Sequence, residues 1–285
     1  MKIITRRDLL RWLLGVSLLT FFPIPVRLGR AQASLPLRSS RGTSIGEFFN
    51  GEELLYEIGV WLFKRAALGS LRFRETERKG VYLATLQAET LGVLGWVVRY
   101  RVDTYRATME EVDGGRRFRS LSFEEDVKIG SKVRKRAYLF DTSKNKWIKL
   151  RQRKDGTLAR TEEEIPPGMI YDDFLTASFN FRYGAYGAIE RGRKYLVPTF
   201  PKKGVTNYEV RVATKEEEVN RRSEVKQKDQ KEFFVKLYLD PEVTHSKEGV
   251  IEGWLSKELF PVEGTIRDVV FFGDVKGTLV KNSRI

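Results

Sequence analysis

Hydrophobic and polar residues alternate with a period of two along much of the chain beyond residue 45. Such alternation is typical of strands that bury one face of a sheet and leave the other towards solvent. Groups of Gly, Asp, Asn and Ser separate the alternating stretches and favour tight turns. The sequence therefore predicts a mainly β protein with antiparallel pairing. The clearest stretches are 81–87, 96–102, 233–239 and 269–275, and the predicted turns are 113–115, 141–143, 154–156 and 246–249.

Two of these stretches carry large aromatic residues on their apolar face. The alternation at 96–102 predicts a strand that places Trp96 and Tyr100 on one face and arginines on the other. The stretch at 233–239 repeats the pattern with Phe233 on its apolar face. We therefore expect these aromatic side chains to point into the protein.

One segment has a strong helical pattern. Phe174, Ala177 and Phe181 recur at the spacing of one helix face, directly after Asp172-Asp173. An aspartate at this position can accept hydrogen bonds from the free N–H groups of the first helical turn. We expect this helix to be capped by the aspartate pair.

Two other segments have patterns that indicate their secondary structure less clearly. A short helix is predicted at 46–49. The charged run at 215–231 fits either two strand ends joined by a turn or a solvated excursion from the fold. Its pattern does not choose between these alternatives.

Strands with one apolar face can curl around that face or cover a helix. Gly273 and Gly277 fall within a strand pattern, where glycine is typical of a bend or bulge. We therefore expect one large curved antiparallel sheet or open barrel, with the helix at 173–182 packed on its concave side. This single β-rich domain is expected over residues 45–285, after a flexible leader at 34–44.

Residues 1–33 have the order of an export signal. Arg6-Arg7 precedes an apolar run at 12–22, and a small-residue A-x-A site ends at Ala33. The arginine pair resembles a twin-arginine signal, with an ordinary secretion signal as the alternative. The apolar run is too short to be retained as a transmembrane anchor. We expect cleavage after Ala33 and a periplasmic protein.

The charge of the chain indicates which partners it meets. The formal net charge is +14, of which the export signal carries +5, so the mature chain carries +9. Outside the cytoplasm a basic surface meets anionic lipid, lipopolysaccharide or wall polymer. We interpret the basic clusters at 132–136 and 151–154 as solvated strand faces, since a nucleic-acid site needs a concentrated basic stripe with stacking aromatics.

Several kinds of chemistry lack the residues they need. The chain has no Cys and one His, which excludes thiolate nucleophiles, zinc–thiolate sites and multi-histidine metal sites. His245 lies in a polar loop-like stretch without a G-x-S-x-G motif. The sequence therefore predicts no cofactor and no metal.

Paired carboxylates offer the remaining route to catalysis. A hydrolase of envelope polymer is the alternative function that such pairs favour. Adjacent strand residues point to opposite faces, so Glu52 and Glu53 are poorly placed to act together. We interpret Asp172-Asp173 as a helix cap and the acidic run at 124–126 as an exposed strand. We therefore predict no catalytic residue.

Five blocks of sequence occur in order along the mature chain: Phe49–Val60, Ala66–Phe73, Tyr171–Arg182, Gly253–Val262 and Asp274–Val280. Among them are an early Gly-Glu-Glu-Leu strand, an aspartate-led helix ending in arginine, and a Trp-Leu-Ser strand. This series resembles domain-of-unknown-function family 3108, a family of exported bacterial envelope proteins. The resemblance implies a secreted β-rich fold and no established chemistry.

A concave sheet lined by aromatic residues can bind an acyl chain or an apolar segment of another protein. The residues proposed for this role are Trp96, Tyr100, Phe233 and Trp254, although the same residues can simply fill the core. We expect a non-catalytic envelope protein that binds a lipid, lipopolysaccharide, a wall glycan or a protein partner in envelope maintenance or assembly.

Overall fold

The computed structural model of the chain describes residues 43–60, 63–153, 155–202, 205–223, 231–239, 246–269 and 273–284. The predicted export signal with Arg6, Arg7 and Ala33 lies outside the described residues, as do most of the predicted leader and His245. Ser44, which the sequence places in the flexible leader, caps the first helix by accepting a hydrogen bond from the backbone N–H of Glu47. Ser44 therefore belongs to the folded part of the chain rather than to a flexible leader.

Fourteen strands and four short helices make up the described part of the chain. The strands are β1 Glu52–Val60, β2 Phe63–Glu75, β3 Val81–Thr90, β4 Arg101–Val112, β5 Arg117–Ile129, β6 Lys132–Asp141, β7 Lys146–Gln152, β8 Leu158–Glu164, β9 Lys194–Lys202, β10 Val205–Val212, β11 Phe233–Tyr238, β12 Val250–Leu255, β13 Pro261–Val269 and β14 Gly273–Arg284. The helices are α1 Ile45–Phe49, α2 Gly92–Val97, α3 Phe174–Tyr183 and α4 Lys215–Ser223.

All fourteen strands belong to one antiparallel sheet in the order β8-β7-β6-β5-β4-β3-β2-β1-β14-β13-β12-β11-β10-β9. The pairing of β1 with β14 joins two runs of neighbouring hairpins at the middle of the sheet. The sheet is not closed into a barrel. The expectation of one large open antiparallel sheet is confirmed.

Helix α3 shows how strongly the sheet curves. Its residues Leu175 and Phe179 pack in one core cluster with Phe118 of β5, and Phe181 packs in another with Tyr195 of β9. Strands β5 and β9 are ten places apart in the sheet, a distance of about 48 Å in a flat sheet. A helix is only about 10 Å wide. The sheet must therefore wrap around α3, which lies on its concave face as expected.

The expected strand at 96–102 is wrong. Residues up to Val97 form α2, Arg99 and Tyr100 have left-handed backbone conformations with φ of 61° and 49°, and β4 begins only at Arg101. Strand β3 ends at Thr90 and pairs antiparallel with β4, so the chain must reverse direction here. The chain reversal between β3 and β4 therefore determines the structure of this segment, although the alternation of its residues predicts a strand.

Two further expectations need correction. The stretch at 269–275 is not one strand, because Val269 ends β13 and pairs with Gly273, the first residue of β14. The start of the charged run forms α4, which neither alternative had foreseen. Its first turn holds three glutamates and its last turn two arginines, an arrangement that complements the helix dipole.

Candidate functional site

A buried ion pair fixes the end of α3 to the sheet. Arg182 donates two hydrogen bonds, of 2.7 and 2.8 Å, to the carboxylate of Glu52 on β1. Its Nε donates a third to the carbonyl of Leu259, before β13, at 2.8 Å. The guanidinium also lies 4.7 Å from the ring centre of Phe49 on α1. Both charged side chains are almost fully buried, so this pair links α3 with three other parts of the fold.

Asp173 caps the start of α3, as the sequence predicts. Its carboxylate accepts hydrogen bonds from the backbone N–H groups of Leu175 and Thr176 at 2.9 and 3.0 Å. Its second oxygen accepts from the hydroxyls of Ser120 on β5 and of Thr176. Complete burial raises the pKa of Asp173 to about 6, against the lowering effect of these hydrogen bonds. The residue therefore has a structural role at a helix terminus.

Asp172 does not cap the helix, although the sequence suggested that it shared this role. Its Oδ2 accepts hydrogen bonds from Arg117 of β5 at 2.7 Å, from Tyr186 at 2.9 Å and from Asn180 of α3 at 3.1 Å. Burial raises its pKa despite the opposing charge of Arg117. An isolated bridge to Thr199 also joins this residue to β9. Asp172 thus connects both halves of the sheet to α3.

The proposed carboxylate pairs do not converge on a common site. Glu53 lies on the face of β1 opposite Glu52 and forms a partly exposed ion pair with Arg72. In the run at 124–126, Glu125 pairs with Arg136 across β5 and β6 on the concave face. The two carboxylates nearest α3, Asp172 and Asp173, are held by the structural contacts described above. These contacts favour positioning over acid–base chemistry.

The four aromatic residues proposed for binding do not share one cavity. Trp96 and Tyr100 are each 57% exposed near the ends of β3 and β4, so the expectation that they point inward is wrong. Phe233 packs in the concave-face cluster with Phe181. Trp254 is buried, as expected, but strand alternation places it on the convex face. Only Phe233 points to the concave side.

Trp254 belongs to a small cluster near α4. Its ring centre lies 5.0 Å from that of Phe234, its cross-strand partner. A polar cleft of about 170 Å³ adjoins the two rings. Burial opposes ionisation of its two glutamates, but neighbouring cations lower both pKa values: Arg267 and Arg221 act on Glu252, and Lys231 and Lys276 act on Glu263. Both glutamates of the cleft are therefore already paired with cations of the protein.

The concave face continues beyond α3 as a trough that no sequence motif had marked. Pairing places Gly253, Gly264 and Gly277 opposite one another on β12, β13 and β14. The same row continues to Ile58 and Ala67 on β1 and β2. We call this row of small and apolar residues the trough floor. Around it the concave-facing apolar side chains are only half-buried; they are Ile58, Leu86, Ala88, Tyr105, Val127, Ile129, Val235, Leu237, Ile251, Ile266 and Val275.

One side of the trough is basic. The concave-facing positions of β4 to β7 beside the floor carry six cationic side chains and two acidic ones. We call the cations the basic wall; they are Arg101, Lys132, Arg134, Arg136, Lys149 and Arg151. Asp103 pairs with Arg101, and Glu125 pairs with Arg136. The expectation that the clusters at 132–136 and 151–154 lie on solvated strand faces is confirmed for Lys132, Lys135 and Arg151, which are exposed. Strand pairing adds that alternate members of these clusters face the concave side.

A family model described as "Protein of unknown function (DUF3108)" matches residues 55–280, which is well over half of the chain. The chain belongs to the DUF3108 family. The resemblance inferred from the five sequence blocks is therefore confirmed. No curated protein and no solved structure matches the chain.

The DUF3108 match includes α3, the trough floor and the basic wall, whereas Glu52 lies just before it. None of the described helices is both long and apolar enough to cross a bilayer. Within the described ranges, no three Asp, Glu, His or Cys side chains form a group that could hold a metal ion.

Proposed function

We propose that this DUF3108 protein is exported to the periplasm and binds a lipid, an envelope glycan or a protein partner without catalysing a reaction. We infer from that location a role in maintaining or assembling the cell envelope. The observation that carries the proposal is the concave face, which α3 fills at one end and which stays half-buried and apolar at the other. A concave apolar surface with a few charged groups is typical of a binding site.

The buried carboxylates support a non-catalytic role. The carboxylate of Glu52 accepts two hydrogen bonds from Arg182. The carboxylate of Asp173 accepts hydrogen bonds from the first turn of α3 and from two hydroxyl groups. A glycoside hydrolase of envelope polymer typically uses one carboxylic acid and one carboxylate that flank the scissile bond. Side chains that hold the helix in place are unavailable for that task.

Export is expected to depend on the arginine pair and to leave Ser34 at the mature N-terminus. Arg6→Lys combined with Arg7→Lys should retain the uncleaved precursor in the cytoplasm, because the twin-arginine route recognises both arginines. Cell fractionation and mass spectrometry of the N-terminal peptide measure both outcomes. Arg11→Lys, outside the pair, serves as the control. Met1 on the periplasmic form would contradict cleavage, whereas normal export of the double variant would point to the ordinary secretion route.

Binding without turnover is the expected behaviour of the mature protein. Incubated with purified wall sacculi or with lipid vesicles, it should co-sediment with at least one of them and release no soluble product. Chromatography of the supernatant and mass spectrometry of the bound species provide the measurements. Product release that disappears in a folded Glu53→Gln or Glu125→Gln variant would establish the hydrolase alternative instead.

A further inference from the structure

We propose that the trough binds a single lipid with an anionic head group, its acyl chain lying along the trough floor and its head group on the basic wall. This inference rests on the proposed binding function and names its ligand class. The floor and the wall are two ends of one concave surface. From Gly277 on β14 the row continues through Ile58, Ala67 and Thr90 to Arg101 on β4, where Arg101 N–H donates to the Thr90 hydroxyl. The row thus spans five neighbouring strands, about 19 Å at the usual strand spacing. That span is comparable with the length of a lipid acyl chain.

The trough floor has room for a ligand. A methyl group placed on Gly264 would meet no atom within 4 Å, and at Gly277 only the carbonyl oxygen of Gly264 lies at that distance. Neither residue has a positive φ, so their backbone conformation does not require glycine. Glycine in a strand interior is otherwise unfavourable. At Gly253, by contrast, an added methyl group would lie 3.0 Å from the carbonyl oxygen of Glu263, so close backbone packing explains the glycine there. The absence of side chains at Gly264 and Gly277 is explained if the space above them is used for an acyl chain.

The basic wall supplies the charge that an anionic head group requires. Arg134 lies at its centre, and burial together with the neighbouring charges of Arg136, Arg101 and Arg151 lowers its pKa. Clustered cations of this kind repel one another, and a bound anion relieves the repulsion. Guanidinium groups also bind phosphate oxygens in a bidentate manner.

The ends of the strands beside the trough fit contact with a membrane surface. Val93, Trp96 and Tyr100 are more than half exposed between β3 and β4. Arg99 and the tip of the β5–β6 hairpin are joined by a hydrogen bond from the N–H of Gly130 to the carbonyl of Arg99 at 2.8 Å. Exposed tryptophan and tyrosine beside basic residues favour the interfacial region of a bilayer. A lipid could therefore enter the trough from this end.

The other candidate ligands fit the trough less well. A protein segment added as a strand needs an unpaired sheet edge, whereas the strands of the trough floor are paired on both sides. A neutral glycan needs polar partners for its hydroxyl groups, whereas the floor consists of glycine, alanine and isoleucine. The combination of an apolar floor with a cationic wall matches an amphiphile with a negative head group.

Filling the floor provides the first test. Fluorescent phosphatidylglycerol and phosphatidylcholine with identical acyl chains are titrated into the mature protein, and native mass spectrometry counts the bound lipids. We expect one phosphatidylglycerol per protein. Gly264→Leu should weaken its binding by at least about tenfold, because displacing two buried methylene groups removes that much affinity. Thr265→Leu, the next residue on the convex face, should bind as the unmodified protein does.

Neutralising the wall provides the second test and does not depend on how Gly264→Leu folds. Arg134→Gln combined with Arg151→Gln should abolish the preference for phosphatidylglycerol over phosphatidylcholine. Lys135→Gln, which removes a cation from the convex face of the same strand, should keep that preference. Unchanged phosphatidylglycerol affinity in folded Gly264→Leu, or an unchanged preference in the double variant, would overturn the assignment of the trough.

The outcomes separate this inference from the proposed function. A periplasmic protein that binds sacculi or a protein partner, but neither lipid, would overturn the lipid assignment and leave the proposed function standing. Lipid release as free fatty acid or head group would overturn both, since the protein would then be a hydrolase.

Discussion

Replacing Arg182 with methionine is expected to lower the free energy of unfolding by about 3–5 kcal/mol, the usual cost of removing one partner from a buried ion pair. The substitution leaves the carboxylate of Glu52 buried without its two hydrogen bonds. It also leaves the carbonyl of Leu259 without its donor. Urea unfolding of the protein at pH 7, followed by tryptophan fluorescence, measures the change.

The neighbouring ion pair gives a matched control. Arg72 bonds to Glu53 at 2.6 Å, and its side chain is largely exposed, so Arg72→Met should cost less than about 1 kcal/mol. Adding Glu52→Gln to Arg182→Met should recover part of the loss, because the uncompensated charge is removed. Equal effects of Arg182→Met and Arg72→Met would show that the buried pair does not fix α3 to the sheet.

Trp254→Ala is expected to destabilise the fold by about 3–5 kcal/mol, as deletion of large buried aromatic side chains does. The side chain is 2% exposed and packs against Phe234 on the convex face. The guanidinium carbon of Arg222 lies 5.4 Å from the centre of its ring. Its loss should therefore loosen α4 as well as open a cavity. Urea unfolding measures the first effect, and hydrogen exchange of the 215–223 amides measures the second.

Trp96→Ala serves as the control for Trp254→Ala. Trp96 is 57% exposed, so its removal should change the free energy of unfolding by less than about 1 kcal/mol, as surface substitutions usually do. A change below about 1 kcal/mol for Trp254→Ala itself would mean that the convex cluster contributes little packing energy.

The period-two pattern was enough to predict the class of fold, because a half-buried strand leaves that pattern wherever it occurs. It was misleading at 96–102, where alternation and a helical turn with a chain reversal both fit the residues. The pattern also continued from β13 into β14 without a break. Val269 and Gly273 are an even number of residues apart, so both fit one period-two stretch although they pair with each other. Local pattern does not contain the information that places a turn within an apolar stretch.

The contacts that define the candidate site depend on strand pairing, which the sequence alone does not supply. Glu52 and Arg182 are 130 residues apart, and nothing in either neighbourhood indicates that they meet. The glycines at 253, 264 and 277 have no common motif and become one surface only through the registers of three strands. Asp173 was predictable because a helix cap is a local interaction.

The position of β14 has a consequence for how the chain is made. It follows every other described strand in the sequence, yet it lies near the centre of the sheet between β1 and β13. Until it leaves the ribosome, both of those strands have an unpaired edge, and such edges are prone to pair with other molecules. The two runs of hairpins can form during synthesis, but joining them must wait for the last strand. A chaperone that shields the free edge of β1 would therefore have to act from the time β1 emerges until β14 has been made.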